Sequence, residues 1–138
     1  MWLVREESWE ADKAWPHGLW YDVSVPQGAL DGYARGLFAR IAAIDPGLKI
    51  FLFGHLGDGN MHLTVTSGRE MPQLHDAVDA AVFEGLAACG GSFSAEHGIG
   101  LEKRTHLARL GDPAKLAVMR AIKRTLDPAG LMNPGKVI

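Results

Sequence analysis

The chain has 138 residues, the length of one domain with a modest core, and at 47% hydrophobic, 22% charged and a mean hydropathy of 0.00 it is no disordered polypeptide. Fourteen Lys and Arg against 16 Asp and Glu leave a net charge of −2, and no basic stripe argues for nucleic acid. No apolar run approaches the about 20 residues of a membrane span, and the chain starts with acids where a signal peptide would be basic and then apolar, so the expectation is a cytoplasmic protein that meets membranes only through partners.

Residues 2–14 are mixed, an extended piece running into a short helix. Residues 19–25 read as a strand, stopped by Pro26, whose place before Gln27-Gly28-Ala29-Leu30 suits a helix start. Leu30, Tyr33, Ala34, Leu37, Phe38, Ile41 and Ala42 recur in steps of three and four, marking one apolar helical stripe. Asp45-Pro46-Gly47 ends that helix in a turn. Two runs rich in β-formers follow, 49–56 and 61–66, separated by Gly57-Asp58-Gly59-Asn60, the strongest hairpin signal in the chain.

A second helix is expected over about 72–89, with Leu74, Ala77, Val78, Ala81, Val82 and Leu86 along one side, until Gly90-Gly91 breaks it. Cys89, the one cysteine, falls on this helix and reads as a small buried apolar residue before a reactive thiol. Residues 92–100 are punctuated by glycine and not helical, and a last helix runs over about 113–126, with Pro113 in its first turn and Asp127-Pro128 closing it. The order predicts an α+β fold: an antiparallel sheet with helices packed on one face, plus a helical C-terminal tail.

The hairpin carries the chemistry. If Asp58-Gly59 forms a two-residue type I′ turn, Leu56 pairs with Met61 and His55 with His62, which puts two imidazoles side by side. Alternation then assigns Ile50, Leu52, Leu56, Met61, Leu63 and Val65 to a core face, and Phe51, Phe53, His55, His62, Thr64 and Thr66 to the other. Two neutral imidazoles suit a borderline-soft divalent metal such as zinc, which in catalytic sites takes three protein ligands and keeps a position open. Glu96, in the glycine-bounded loop 90–100, is the natural third, and His97 beside it would be free to act as a base. The bland alternative is a plain cross-strand histidine pair with a solvated Glu96, and spacing alone leaves both open.

Three stretches are more specific: Phe53-Gly54-His55-Leu56-Gly57-Asp58-Gly59-Asn60-Met61-His62, Ser94-Ala95-Glu96-His97-Gly98-Ile99-Gly100, and Leu126-Asp127-Pro128-Ala129-Gly130-Leu131-Met132-Asn133-Pro134-Gly135-Lys136-Val137. In order and spacing, together with Tyr21-Asp22-Val23-Ser24-Val25-Pro26, they resemble the C-terminal half of the FAD-linked 2-hydroxy-acid dehydrogenases, the group with D-lactate dehydrogenase, the glycolate oxidase flavin subunit and D-2-hydroxyglutarate dehydrogenase. The resemblance implies that residues 1–138 are part of a ferredoxin-like cap, or substrate, domain, without the family's FAD-binding domain and inactive alone. It implies His55, His62 and Glu96 as metal ligands, zinc being the expected ion, and His97 as the base that takes the substrate hydroxyl proton while hydride passes to FAD.

By the same resemblance Arg5 holds the substrate carboxylate, the alternative being a surface arginine beside Glu6 and Glu7, and Asn133 and Lys136 lie in a tail that returns toward the flavin, the alternative being a plain Asn-Pro-Gly turn. By alternation Thr64 shares the histidine face, open to substrate or a plain strand threonine. The expected partners are a small 2-hydroxy acid and a flavin-binding domain or subunit. Two departures stand out: Trp20 where many relatives carry a cation before the Tyr-Asp pair, and Ala95 for a usual glycine. Trp20 argues against a substrate with a second carboxylate. Trp2, Trp9, Trp15 and Trp20 crowd the first twenty residues, apolar surface that suits a core, a partner or self-association into a homo-oligomer. Two competing readings are a stand-alone metal module with hydrolytic chemistry and a non-catalytic assembly remnant.

Overall fold

The structure, a computed structural model, describes residue 7 and residues 10–138. The chain falls into two compact units, Met1–Glu96 and His97–Ile138.

The first unit opens with a short helix α1 (Glu10–Ala14) and strand β1 (Leu19–Ser24). Pro26 and a 3-10 turn, Gln27–Ala29, then feed helix α2 (Leu30–Ile44). Its buried stripe is Tyr33, Leu37 and Ile41, narrower than the periodicity suggests, because Phe38 stays 45% exposed. The helix stops where Asp45 turns extended, its Oδ1 accepting from the Gly47 amide at 2.7 Å. Strands β2 (Lys49–His55) and β3 (Asn60–Thr66) follow, and the sheet has the order β1-β3-β2, antiparallel throughout.

The hairpin register differs from the expected one. His55 pairs with Asn60 and Phe53 with His62, so residues 56–59 form a four-residue loop. A type I′ turn needs positive φ at both central residues, and here only Gly59 has it (φ 76°), while the Asp58 and Gly59 amides both point at the His55 carbonyl (3.3 and 3.0 Å). The slip is two residues, an even number, so every side chain keeps its expected face. Leu56 is the exception: it leaves the core for the loop and is 78% exposed.

Beyond a second 3-10 turn, Pro72–Leu74, helix α3 is His75–Phe83, six residues shorter at its C-terminal end than the apolar pattern to Cys89 suggests. Glu84 is extended and Gly85 takes φ 82°, which ends the helix. Leu86 is still buried, from a turn, and Cys89 is half-buried beside it with Sγ 3.3 Å from the Leu86 carbonyl. α2 and α3 cover one face of the sheet, where Val23, Leu63, Val65, Leu37, Ile41, Val78 and Val82 form the core. Directional ties register the layers: the Tyr21 hydroxyl donates to Asp79 Oδ1 (2.6 Å), the Tyr33 hydroxyl to the Val82 carbonyl (2.5 Å) and Arg40 Nε to the Ala81 carbonyl (2.8 Å). Burial, then the bond to Asp79, pushes the Tyr21 phenol far above its usual value, and burial pushes Tyr33 up to about 12.

The second unit holds helix α4 (Arg104–Leu110), absent from the sequence reading, and α5 (Pro113–Leu126) at the expected bounds. Asp112 caps α5, its carboxylate accepting from the Ala114 and Lys115 amides, with Pro113 at the first helical position. After α5, Asp127 accepts from Lys123 Nζ and from the Leu131 and Met132 amides, and the lysine bond above all holds its carboxyl below the usual range. The Val137 amide reaches the Gly100 carbonyl at 2.9 Å, closing the tail on the start of its own unit.

Candidate metal centre

β2 and β3 bring His55 and His62 to the sheet face away from α2 and α3, and the even register slip makes them diagonal neighbours instead of a directly opposed pair. Their rings stand 5.5 Å apart between centroids and nearly perpendicular. Phe53, directly opposite His62, lies against its other side at 5.4 Å.

Glu96 arrives from a loop laid along the free edge of β1. Ser24 and Ser92 form an antiparallel bridge, with their amides and carbonyls exchanging bonds of 2.9 and 2.8 Å. The approach depends on Gly91, since a Cβ there would sit 2.5 Å from the Ser24 carbonyl oxygen. Further on, the Ala95 and Glu96 amides donate to Asp22 Oδ2 at 3.0 and 2.8 Å. Asn60 Nδ2 donates to Glu96 Oε1. The carboxylate so held lies 3.3 Å from His55 Nε2 and 3.9 Å from His62 Nε2.

His55, His62 and Glu96 thus each offer one ligand atom, all within 4.8 Å of one another. Tetrahedral ligands about 2.0–2.2 Å from zinc stand roughly 3.3–3.6 Å apart, and two imidazoles with one carboxylate is a common catalytic donor set. The residues therefore fit a divalent ion with small adjustments of side chains. His55 and Glu96 are about half exposed and His62 mostly buried, so the cluster of donors is open to solvent on one side.

Two residues that the sequence reading left unassigned build this site: Asp22, fully buried, and Asn60. Alternation alone puts Asn60 on the His62 face of β3, while Asp22 joins them only through the pairing of β1 with β3. Of the other candidates, Thr64 shares the histidine face but is buried between Trp20 and Phe51 in the pairing. His97 is exposed and opens the second unit. Asn133, at φ 46°, and Lys136 are exposed in a turn closed by the Lys136 amide on the Asn133 carbonyl at 3.2 Å. Arg5, Trp2 and Trp9 lie outside the described residues. Among the described residues no helix is long and apolar enough to cross a membrane.

Residues 1–137 match the family described as FAD linked oxidases, C-terminal domain. The chain is 36% identical over 143 residues to D-2-hydroxyglutarate dehydrogenase of Stutzerimonas stutzeri, with 99% of this chain and 30% of that protein covered. It is 39% identical over 139 residues to the mitochondrial D-2-hydroxyglutarate dehydrogenase of Bos taurus, covering 100% of this chain and 25% of that protein. An uncharacterized FAD-linked oxidoreductase of Mycobacterium tuberculosis is 35% identical over 137 residues, 97% of this chain and 28% of its own length. The chain spans about a quarter to a third of the length of these relatives.

Proposed function

The chain belongs to the family of FAD linked oxidases, C-terminal domain, and from that premise we propose that it forms the substrate- and metal-binding part of a flavin-dependent dehydrogenase of D-2-hydroxy acids. The observation that carries this reading is the convergence of His55, His62 and Glu96, three donors of metal-ligand chemistry from three segments of the chain. A ligand set of two neutral imidazoles and one carboxylate leaves a divalent ion with net positive charge. When bound, the ion supplies a Lewis-acid centre and the flavin a hydride acceptor.

In this reading the chain's own residues bind, orient and deprotonate. His97, next in the chain to Glu96, takes the proton of the substrate hydroxyl, a role that requires hydrogen-bond reach of that oxygen. Arg5 pairs with the substrate carboxylate in the bidentate geometry suited to a guanidinium, Thr64 stands on the substrate side of the sheet, and Asn133 and Lys136 face the flavin. Partners are a flavin-binding domain or subunit and a small 2-hydroxy acid. Trp20, 66% exposed where a cation would be needed for a second carboxylate, favours a monocarboxylic substrate over 2-hydroxyglutarate.

The test combines metal analysis with reconstitution. The purified chain should hold about one divalent ion and, joined to a flavin-binding domain, oxidise D-lactate with an artificial acceptor faster than D-2-hydroxyglutarate. His97→Ala should remove turnover and leave the ion. A folded chain with no metal, or full turnover in the His97 variant, overturns the assignment; metal-bound chain that hydrolyses esters without flavin would favour the hydrolytic alternative.

A further inference from the structure

We infer that Asp22 is a positioning residue of the metal centre: its two carboxylate oxygens set the tautomer of His62 on one side and the place of Glu96 on the other. The inference rests on the metal reading above. Asp22 lies in β1, directly across from His62 in β3, and is fully buried. A buried carboxylate is costly unless hydrogen bonds compensate it. Oδ2 accepts from the Ala95 and Glu96 amides, contacts that span more than seventy residues of chain, and the Ala95 amide also approaches the Asp22 carbonyl at 3.2 Å.

Oδ1 lies 3.7 Å from His62 Nδ1, a gap that a small ring rotation closes to hydrogen-bond length. The His62 ring therefore sits between two carboxylates, Asp22 at Nδ1 and Glu96 at Nε2. Both carboxylates only accept, but Asp22 is the closer and the fully buried one while Glu96 is half exposed to water, so Nδ1 carries the proton and Nε2 keeps its lone pair for an ion. This is the carboxylate–histidine arrangement by which outer partners orient metal ligands. One buried side chain thereby serves two of the three ligands, His62 through Oδ1 and Glu96 through Oδ2.

The Asp22→Asn variant separates positioning from packing, because the amide has one acceptor where the carboxylate has two. With its oxygen toward the loop amides, its NH2 faces His62 Nδ1 and forces the proton onto Nε2. Long-range proton–nitrogen NMR of the metal-free 138-residue chain reads the tautomer directly. The expected results are an Nδ1–H His62 in the parent, an Nε2–H His62 in Asp22→Asn, and zinc affinity weakened by about 10–100-fold in the variant. An Nε2–H tautomer in the parent overturns the inference, as does a folded variant that binds zinc as the parent does. Should the variant fail to fold, the parent tautomer alone decides. A parent that shows the Nδ1–H tautomer and binds no ion overturns the metal reading while leaving the orienting role of Asp22 in place.

Discussion

The two faces of the three-stranded sheet are held by different physics. Toward α2 and α3, Val23, Leu63 and Val65 are buried among aliphatic neighbours, where attraction is non-directional and scales with area. On the opposite face Asp22, Asn60, Thr64 and Thr66 are just as buried, yet what holds them is aimed: Asp22 on two loop amides, Asn60 on Glu96, the Thr66 hydroxyl on the Pro16 carbonyl at 2.8 Å. Burial alone does not separate structure from site. The separation is between a face that tolerates any well-shaped apolar set and one on which atoms must match partners.

The contrast can be broken first at its apolar side. Leu63→Ala should cost about 2–5 kcal/mol in denaturant unfolding and leave zinc affinity per folded molecule unchanged; a specific loss of zinc would show the faces to be coupled. Alkaline unfolding tests the polar ties that cross the helical layer. Tyr21 and Tyr33 hold their protons above the usual 10.0 of a phenol, Tyr33 to about 12. The unfolded chain then ionises first, so stability is fully present below pH of about 10 and falls as pH rises through the folded value, by roughly 2–3 kcal/mol from Tyr33. A chemical-denaturation midpoint that stays flat from about pH 9 to 12 would contradict this. Tyr21→Phe, which strips Asp79 of its buried donor, should cost about 1.5–3 kcal/mol by the same measurement. The smallest stability effect belongs to the site: His55→Ala, at a half-exposed ring, should stay within about 0.5 kcal/mol of the parent while losing zinc by more than the roughly 10–100-fold of an outer-partner change.

Face assignment in the hairpin and the α5 bounds were legible because alternation, a proline at a helix start and Asp127-Pro128 are local signals, whereas the sheet order β1-β3-β2 rests on long-range pairing. The hairpin register was not legible, because Asp-Gly admits both a two-residue turn and the longer loop, and the choice falls to contacts made by Val25 and Gln27 from outside the hairpin. α4 escaped notice because Arg-Thr-His-Leu-Ala-Arg-Leu shows only two large apolar residues and no side-chain cap. The overlong α3 has the opposite cause: apolar residues continue in helical steps past Gly85, whose backbone has already turned. At the candidate site, the hairpin and the glycine-bounded loop pointed to His55, His62 and Glu96, which the fold brings together. Asp22 was not legible, because a carboxylate inside a strand looks solvent-facing until the loop seventy residues away is seen to cover it.

The loop between β2 and β3 is anchored from outside itself: the Val25 amide donates to the Gly59 carbonyl at 3.0 Å, and Gln27 Nε2 reaches the Leu56 and Gly57 carbonyls at 3.2 and 2.5 Å. Gly59 fits so closely that a Cβ would lie 1.9 Å from the Val25 oxygen. The segment joining the two histidines is therefore shaped by the residues that follow β1 and by the 3-10 turn ahead of α2. In small zinc modules the ion must organise its own ligands, and chelation unfolds them. Here the ordering entropy of the donors belongs to folding, so under the proposed metal reading a chelator should leave the hairpin standing.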